Sequence, residues 1–373
     1  MLNSEKLETI TVPDRVHNFS AGPSGLPLSV LEKARAEFLS FQDAGASVME
    51  ISHRSAAFDR VISGVKKNVR TLLKVPDDYD VLLLQGGASL QFSMVPMNLL
   101  RENGSAQVIN TGVWTKKAIK EFKKQGVVEV LASSEEEKFS YIPRVSESQL
   151  NPDASFFYVT SNNTIAGTQY KLFPDTKAVP LVADMSSDIF SRELDIRQFG
   201  VIFAGAQKNI GPSGLALVII RKDLLARSSE QLPSMLSYKV QSEGESMYNT
   251  PPTFGIYMVG LVLEWLLDLG GVSEIEKRNK RKAQKLYDYI DQSERFQCPV
   301  AVADRSDMNV VFRLDNNEAL EKQFVKEAES NGLHGLKGHR LVGGLRASIY
   351  NACPEESVDA LIQFMKDFEK KLV

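Results

Sequence analysis

Seven short apolar runs alternate with stretches of helical spacing, and this alternation limits what the chain can fold into more than any other feature. The runs are DVLLLQ (80–85), AQVINT (106–111), VVEVLA (127–132), SFFYVTS (155–161), AVPLVAD (178–184), FGVIFAG (199–205) and LALVIIRK (215–222). Each is rich in β-branched and aromatic residues and too short for a buried helix, so each reads as a strand buried in a parallel sheet. Helical patterns lie between several of them. The clearest is VWTKKAIKEFKKQG (113–126), in which Trp114, Ala118, Ile119 and Phe122 share one face. The alternation predicts an α/β architecture: a mostly parallel seven-stranded sheet flanked by helices and joined by right-handed crossovers.

From about Phe254 the texture changes. Two long helices are predicted, FGIYMVGLVLEWLLDL (254–269) and VSEIEKRNKRKAQKLYDYIDQ (272–292), the second with many charges on its outer face. A strand in MNVVFRL, a helix through LEKQFVKEAESNG, a strand in LRASIYN and an amphipathic helix in ESVDALIQFMKDFEKKL follow. At 373 residues the chain is longer than a single core usually supports. The expected division is an N-terminal extension (1–15), a large ligand-binding domain (16–265) and a smaller α+β C-terminal domain (266–373).

Charged residues make up 24% of the chain and nearly cancel, to a net charge of -3, with no long run of one sign. Nucleic acid and membrane surfaces are therefore not expected partners. Two cysteines, Cys298 and Cys353, are too few for a disulfide framework or a cysteine-rich metal site, and no metal is expected. The apolar stretch IYMVGLVLEWLLDLGGV is interrupted by Glu264 and Asp268, and the first residues lack a signal-peptide core. The expectation is a soluble, cytoplasmic protein.

In open α/β sheets ligands sit beyond the carboxyl ends of the strands, and that is where the chemistry-bearing residues fall. After VLLLQ comes Gly86-Gly87-Ala88-Ser89 and a helical stretch, a tight turn whose amides can attract an anion such as phosphate. After AVPLVA comes Asp184, either a cap for the next turn of chain or a buried acid that keeps a heterocycle protonated. After FGVIFAGA come Gln207 and Lys208, then the turn Gly211-Pro212-Ser213-Gly214. A lysine at the tip of an apolar strand, among small residues, is placed where desolvation lowers its pKa toward a nucleophilic amine. Asp184 and Lys208 stand 24 residues apart, the span of one crossover, so they can flank one planar ligand. Trp114 either stacks on that ligand or anchors its helix in the core, and Thr164 offers a hydroxyl beyond another strand.

HNFSAGPSGLP, GGASLQF, DMSSDIFSR, AGAQKNIGPSG, NTPPTF and GHRLVGGLRASIYNA together resemble the phosphoserine aminotransferases, class V members of the fold-type-I pyridoxal-phosphate enzymes. The resemblance runs nearly end to end. It implies the fold-type-I transferase fold and a homodimer with shared active sites. It also implies pyridoxal 5'-phosphate on Lys208 as an aldimine, with Asp184 at the pyridine nitrogen. Trp114 would stack on the ring, Thr164 would bond near the ring oxygen, and Ala88, Ser89 and Gln207 would hold the phosphate. Asn249 and Thr250 would reach that phosphate from the neighbouring subunit. The substrates would be L-glutamate and 3-phosphohydroxypyruvate, giving O-phosphoserine for serine synthesis. Bacterial relatives also take a phosphorylated hydroxythreonine on the route to pyridoxine. His53 and Arg54, again from the neighbour, with His339 and Arg340 would meet the substrate phosphate. Arg346 would grip the α-carboxylate, with Ser20 beside it. One departure is visible: Ser89 stands where some members carry an arginine between cofactor and substrate phosphate, and His339 or a neighbouring lysine would compensate for that charge.

Other readings predict different residues. A serine–glyoxylate aminotransferase of the same class would need no second anion site. A cysteine desulfurase would need a mobile nucleophilic cysteine, whereas Cys353 and Cys298 sit in packing contexts. A nucleotide-dependent dehydrogenase should show GxGxxG, which GGASLQF does not match.

Overall fold

A computed structural model of the chain describes residues 15–372. All seven apolar runs are strands of one sheet. The spatial order is Tyr79–Gln85, Leu215–Arg221, Val201–Gly205, Leu181–Asp184, Phe156–Thr160, Ser105–Asn110 and Val127–Ser133. Pairing is parallel from Val201–Gly205 through to the Val127–Ser133 edge. Leu215–Arg221, expected to be parallel, instead runs antiparallel to both of its neighbours. Only residues 206–214 separate it from the preceding strand, and a parallel return needs a crossover of about a dozen residues or more. The expectation of burial also fails at the outer edge, where Val127 and Val130 are exposed because the strand has a single neighbour.

Strand residues alternate between two cores. Val81, Leu83, Leu181, Ala183, Ile202 and Ala204 face the helices Ala56–Leu73 and Thr253–Asp268, while Leu82, Leu84, Val182, Val201 and Phe203 face Gly87–Leu99 and Val113–Phe122. Helix Ala56–Leu73 starts where the Ser55 hydroxyl accepts the Phe58 N–H and stops at Lys74, which turns left-handed. Its Phe58, Ile62, Val65, Val69 and Leu72 recur at helical spacing and bury against the sheet and Thr253–Asp268.

The second layer is a three-stranded antiparallel sheet, Phe296–Gln297, Asn309–Leu314 and Leu345–Ser348, covered by helices Val272–Gln292, Glu318–Ser330 and Glu355–Lys370. Its core gathers Phe296, Phe312, Phe324, Leu361 and Phe368. Phe19 belongs to this core, and His17–Asn18 pairs in parallel with Leu333–His334, so the first described residues join the C-terminal layer. Helices Thr253–Asp268 and Val272–Gln292 meet at 85°, and no single helix among the described residues is long and apolar enough to cross a membrane.

Candidate active site

A cavity of about 320 Å³ opens beyond the carboxyl ends of the parallel strands, lined by Gly86, Ala88, Ser89, Trp114, Asp184, Gln207 and Lys208 together with Gly22, Pro23, Ser186, Ser213 and Gly214. Its floor is set by the strands. Leu181–Asp184 ends in a carboxylate that is 5% exposed, and one of its oxygens accepts the Ser186 N–H at 2.9 Å and the Ser186 hydroxyl at 2.6 Å. Burial pushes the Asp184 carboxyl upward, against the pull of the Lys208 ammonium and the two Ser186 donors.

Lys208 follows Val201–Gly205 and points its amine into the cavity, donating to the Thr164 hydroxyl at 2.6 Å. Loss of water around the amine pushes it down to about 8, with Asp184 opposing and the Arg346 guanidinium assisting. That combination favours a neutral, nucleophilic amine far below the ordinary lysine range. Gly22 closes over the lysine stem: a Cβ there would lie 3.2 Å from Lys208 Cγ, and the glycine has φ +142. The strap is pinned by the Ser24 N–H to Gln207 O, at 3.0 Å, and by the Ser24 hydroxyl to Lys208 O.

The anion cradle comes from a turn. Gly86 and Gly87 take φ of 87° and 59°, which opens helix Gly87–Leu99 so that the amides of Ala88 and Ser89 stand free at its first turn. Opposite, the Trp114 ring lies 5.4 Å from the Lys208 amine, and its buried Nε1 has no partner among the described residues. Lys117, one turn further along the helix, sets its ammonium 4.2 Å from the same ring and makes no ion pair among the described residues, unlike its neighbour Lys116.

Thr164 ties the cavity to the second layer, because its carbonyl accepts from Arg346 Nη1 at 3.3 Å. Arg346 is 9% exposed, and its Nε also has no partner among the described residues. Arg346 and His339 line a second cavity of about 310 Å³. Burial, then Arg346, Arg340 and Lys117, pushes the His339 imidazole down. Arg340 is exposed on the same loop. Ser20 sits against Gly335, beside the Gly22 strap and outside the Lys208 cavity. Besides Ser20, Thr164 and Arg340, four more of the sequence-predicted residues line neither cavity within one chain. His53 is half-buried and Arg54 exposed, while the exposed Asn249 and Thr250 meet Gln85 at 3.2 Å and 3.3 Å.

Sequence reasoning missed Gly22, Ser186 and Lys117. A Gly-Pro pair within AGPSG and a lysine three residues beyond Trp114 were the available signals.

The residues fit pyridoxal 5'-phosphate. A ring needs a flat face and an acid at its nitrogen, its aldehyde needs an amine, and its phosphate needs free amides; Trp114, Asp184, Lys208 and the Gly86–Ser89 turn put all four in one cavity.

The family model for aminotransferase class-V matches residues 16–361. The chain is 57% identical to the phosphoserine aminotransferase of Listeria monocytogenes serovar 1/2a, covering 95% of this chain and 97% of the relative. Identity to that of Geobacillus kaustophilus is 54%, over 96% and 99%. Among solved structures, the phosphoserine aminotransferase of Bacillus circulans subsp. alkalophilus matches with a TM-score of 0.94 at 50% identity, over 96% of this chain and 99% of that one. The pyridoxal-phosphate-bound enzyme of Trichomonas vaginalis matches with a TM-score of 0.90 at 39% identity, over 94% and 100%.

Proposed function

Because the chain belongs to the aminotransferase class-V family, we propose that it is a phosphoserine aminotransferase, moving an amino group reversibly between L-glutamate and 3-phosphohydroxypyruvate. O-phosphoserine and 2-oxoglutarate are the products, which places the enzyme in serine synthesis. The observation that carries this reading is a single one. The Lys208 amine, pushed down to about 8, shares a cavity with Asp184 and is joined through Thr164 to the buried Arg346 guanidinium.

Pyridoxal phosphate, when bound, supplies the electron sink that makes a substrate Cα proton removable. Everything else falls to the chain. In our reading Asp184 accepts from the ring nitrogen, Trp114 covers the ring, the Ala88 and Ser89 amides with Gln207 take the phosphate, and Thr164 orients the ring and the lysine together. Nζ of Lys208, its pKa lowered to about 8, is placed to hold and move the Cα proton on one face. Arg346 holds the α-carboxylate by its fork and thereby aims Cα at Nζ, with Ser20 beside it.

The distal phosphate needs cations that the cofactor does not use. We assign His339 and Arg340 from this chain, and His53 and Arg54 from a second copy, which also supplies Asn249 and Thr250 to the cofactor phosphate. That His53, Arg54, Asn249 and Thr250 do not line the Lys208 cavity within one chain supports a homodimer with shared sites. Lys117 is the lysine that offsets Ser89, since its ammonium lies 4.2 Å from the Trp114 ring, acts on the His339 imidazole through its charge and has no carboxylate partner among the described residues. Lys117→Ala is expected to raise KM for phosphohydroxypyruvate about tenfold while leaving KM for glutamate unchanged, the loss of one charge-assisted contact; steady-state kinetics varying each substrate checks it.

We also propose a division into a cofactor-binding unit, 16–265, and a C-terminal unit, 266–373, the latter completed by His17–Phe19. Most of the expected extension, 1–15, lies outside the described residues. A cytoplasmic location accords with two free cysteines.

The decisive experiment adds glutamate and then phosphohydroxypyruvate to the enzyme while its visible absorption is followed. Glutamate should change the spectrum and phosphohydroxypyruvate should restore it. Restoration by glyoxylate alone would assign the site to a serine–glyoxylate enzyme instead.

A further inference from the structure

We infer that Asn351 and Asn209 are positioning residues, a buried relay that holds the Arg346 strand in register with the Lys208 loop. Arg346 belongs to the three-stranded layer and Lys208 to the seven-stranded one, yet both must address the same substrate carbon. Among the described residues their side chains are bridged by Thr164, through its hydroxyl and its carbonyl, a contact any substrate must disturb by competing for the amine and the guanidinium. Something in the backbone has to keep the two layers aligned while that happens.

The chain beyond Leu345–Ser348 supplies it. Asn351 donates its N–H to Asn209 Oδ1 at 3.0 Å, and Asn209 is the residue directly after Lys208. Asn209 Nδ2 donates to Ile189 O at 2.6 Å, and Asn351 Nδ2 donates to Phe190 O at 3.0 Å. Ile189 and Phe190 lie in the turn that leaves Asp184. One pair of asparagines therefore grips the segments that come after Asp184, Lys208 and Arg346.

The relay is itself held from behind. Asn279, on helix Val272–Gln292, donates to Asn351 Oδ1 at 2.8 Å. Lys282, one turn on, brackets Asn351 by donating to the carbonyls of Ile349, Tyr350 and Cys353 at 3.0, 2.7 and 3.1 Å. Asn209, Asn279 and Asn351 are no more than 5% exposed. Apolar side chains at such a seam would pack in several registers, whereas the Asn209 and Asn351 amides bond only in one; Asn279 Oδ1 has no partner among the described residues. A misplacement of about 1 Å between reacting groups lowers rates by roughly 100-fold, so the register matters to turnover.

The inference rests on the aminotransferase reading, and the test separates the two. In the cofactor-loaded enzyme, Asn351→Ala and Asn209→Ala are compared with Leu361→Ala, which opens a cavity in the C-terminal core away from the seam. All three should melt at lower temperature. Below melting, the asparagine variants should lose about 10–100-fold in kcat with glutamate, with KM within about threefold, and the isotope effect of α-deuterated glutamate should rise, because proton transfer to a misaimed amine becomes rate-limiting. Leu361→Ala should show none of these. If Asn351→Ala does not fold, Asn351→Ser, which removes the amide donor to Phe190 O without burying a charge, is read in the same way. Asparagine variants that match Leu361→Ala, with kcat and isotope effect untouched, overturn the relay. A wild-type enzyme inert toward glutamate would instead overturn the underlying reading.

Discussion

Lys208→Ala is expected to lower amino transfer by roughly 10⁴-fold while the fold persists. The amine is the only basic group that the seven-stranded layer aims into the cavity among the residues lining it, and no lining neighbour can take over proton transfer at the same place. Borohydride reduction followed by peptide mapping checks the assignment: the wild-type enzyme should be labelled at Lys208 and the variant nowhere in that peptide. Near-normal turnover in the variant would refute it. The pH behaviour comes from the direction of the shift. Held at about 8, the amine of cofactor-free enzyme should react faster with cyanate as pH rises toward 8 and level off above it, while surface lysines continue to gain. Stability carries the opposite face of the same shift. An ammonium disfavoured in the folded state makes the unfolded chain bind more protons between about pH 8 and the ordinary lysine value, so this group's contribution improves as pH rises through that window. At pH 7 the cofactor-free alanine variant should therefore melt no lower than wild type.

Arg346→Lys is expected to cost roughly 100-fold in kcat/KM for glutamate and for phosphohydroxypyruvate alike, with the cofactor spectrum unchanged. The guanidinium is buried, uses Nη1 on Thr164 O, and leaves Nε without a partner among the described residues, so its remaining donors form a fork ready for a carboxylate. A lysine restores charge but offers no paired, planar donors, and its shorter reach leaves the site partly unmet. Both substrates carry an α-carboxylate, which is why both should suffer. A lost or shifted cofactor spectrum would place Arg346 among the cofactor's own contacts.

Strand positions were legible because central strands are apolar on both faces, and only a sheet covered on both sides requires that. The direction of Leu215–Arg221 was not, since it depends on the short return from Gly205 rather than on side-chain pattern. Val127–Ser133 was misjudged as buried because an edge carries the same residue types as a centre. Lys208, Asp184 and the Gly86–Ser89 turn could be found because each lies just past a strand end, where ligands bind. Thr164 was legible in the same way, as a hydroxyl beyond a strand, but Arg346 needed family resemblance, and the meeting of the two across 182 residues has no local signature. The seam asparagines are harder still. Asn351 contacts partners 142 and 161 residues away, and nothing in a lone asparagine distinguishes a buried relay from a surface turn.

The pairing of His17 with Leu333 bears on how the molecule comes into being. During translation the opening strand leaves the ribosome long before the partner that completes it is made, so it must wait, unmatched, while the intervening sheet assembles. The strap beyond it, over Lys208, inherits that delay, and catalytic competence can arrive only with the last stretch of chain. Clipping the chain just past Asn18 would thus injure the far end of the protein first.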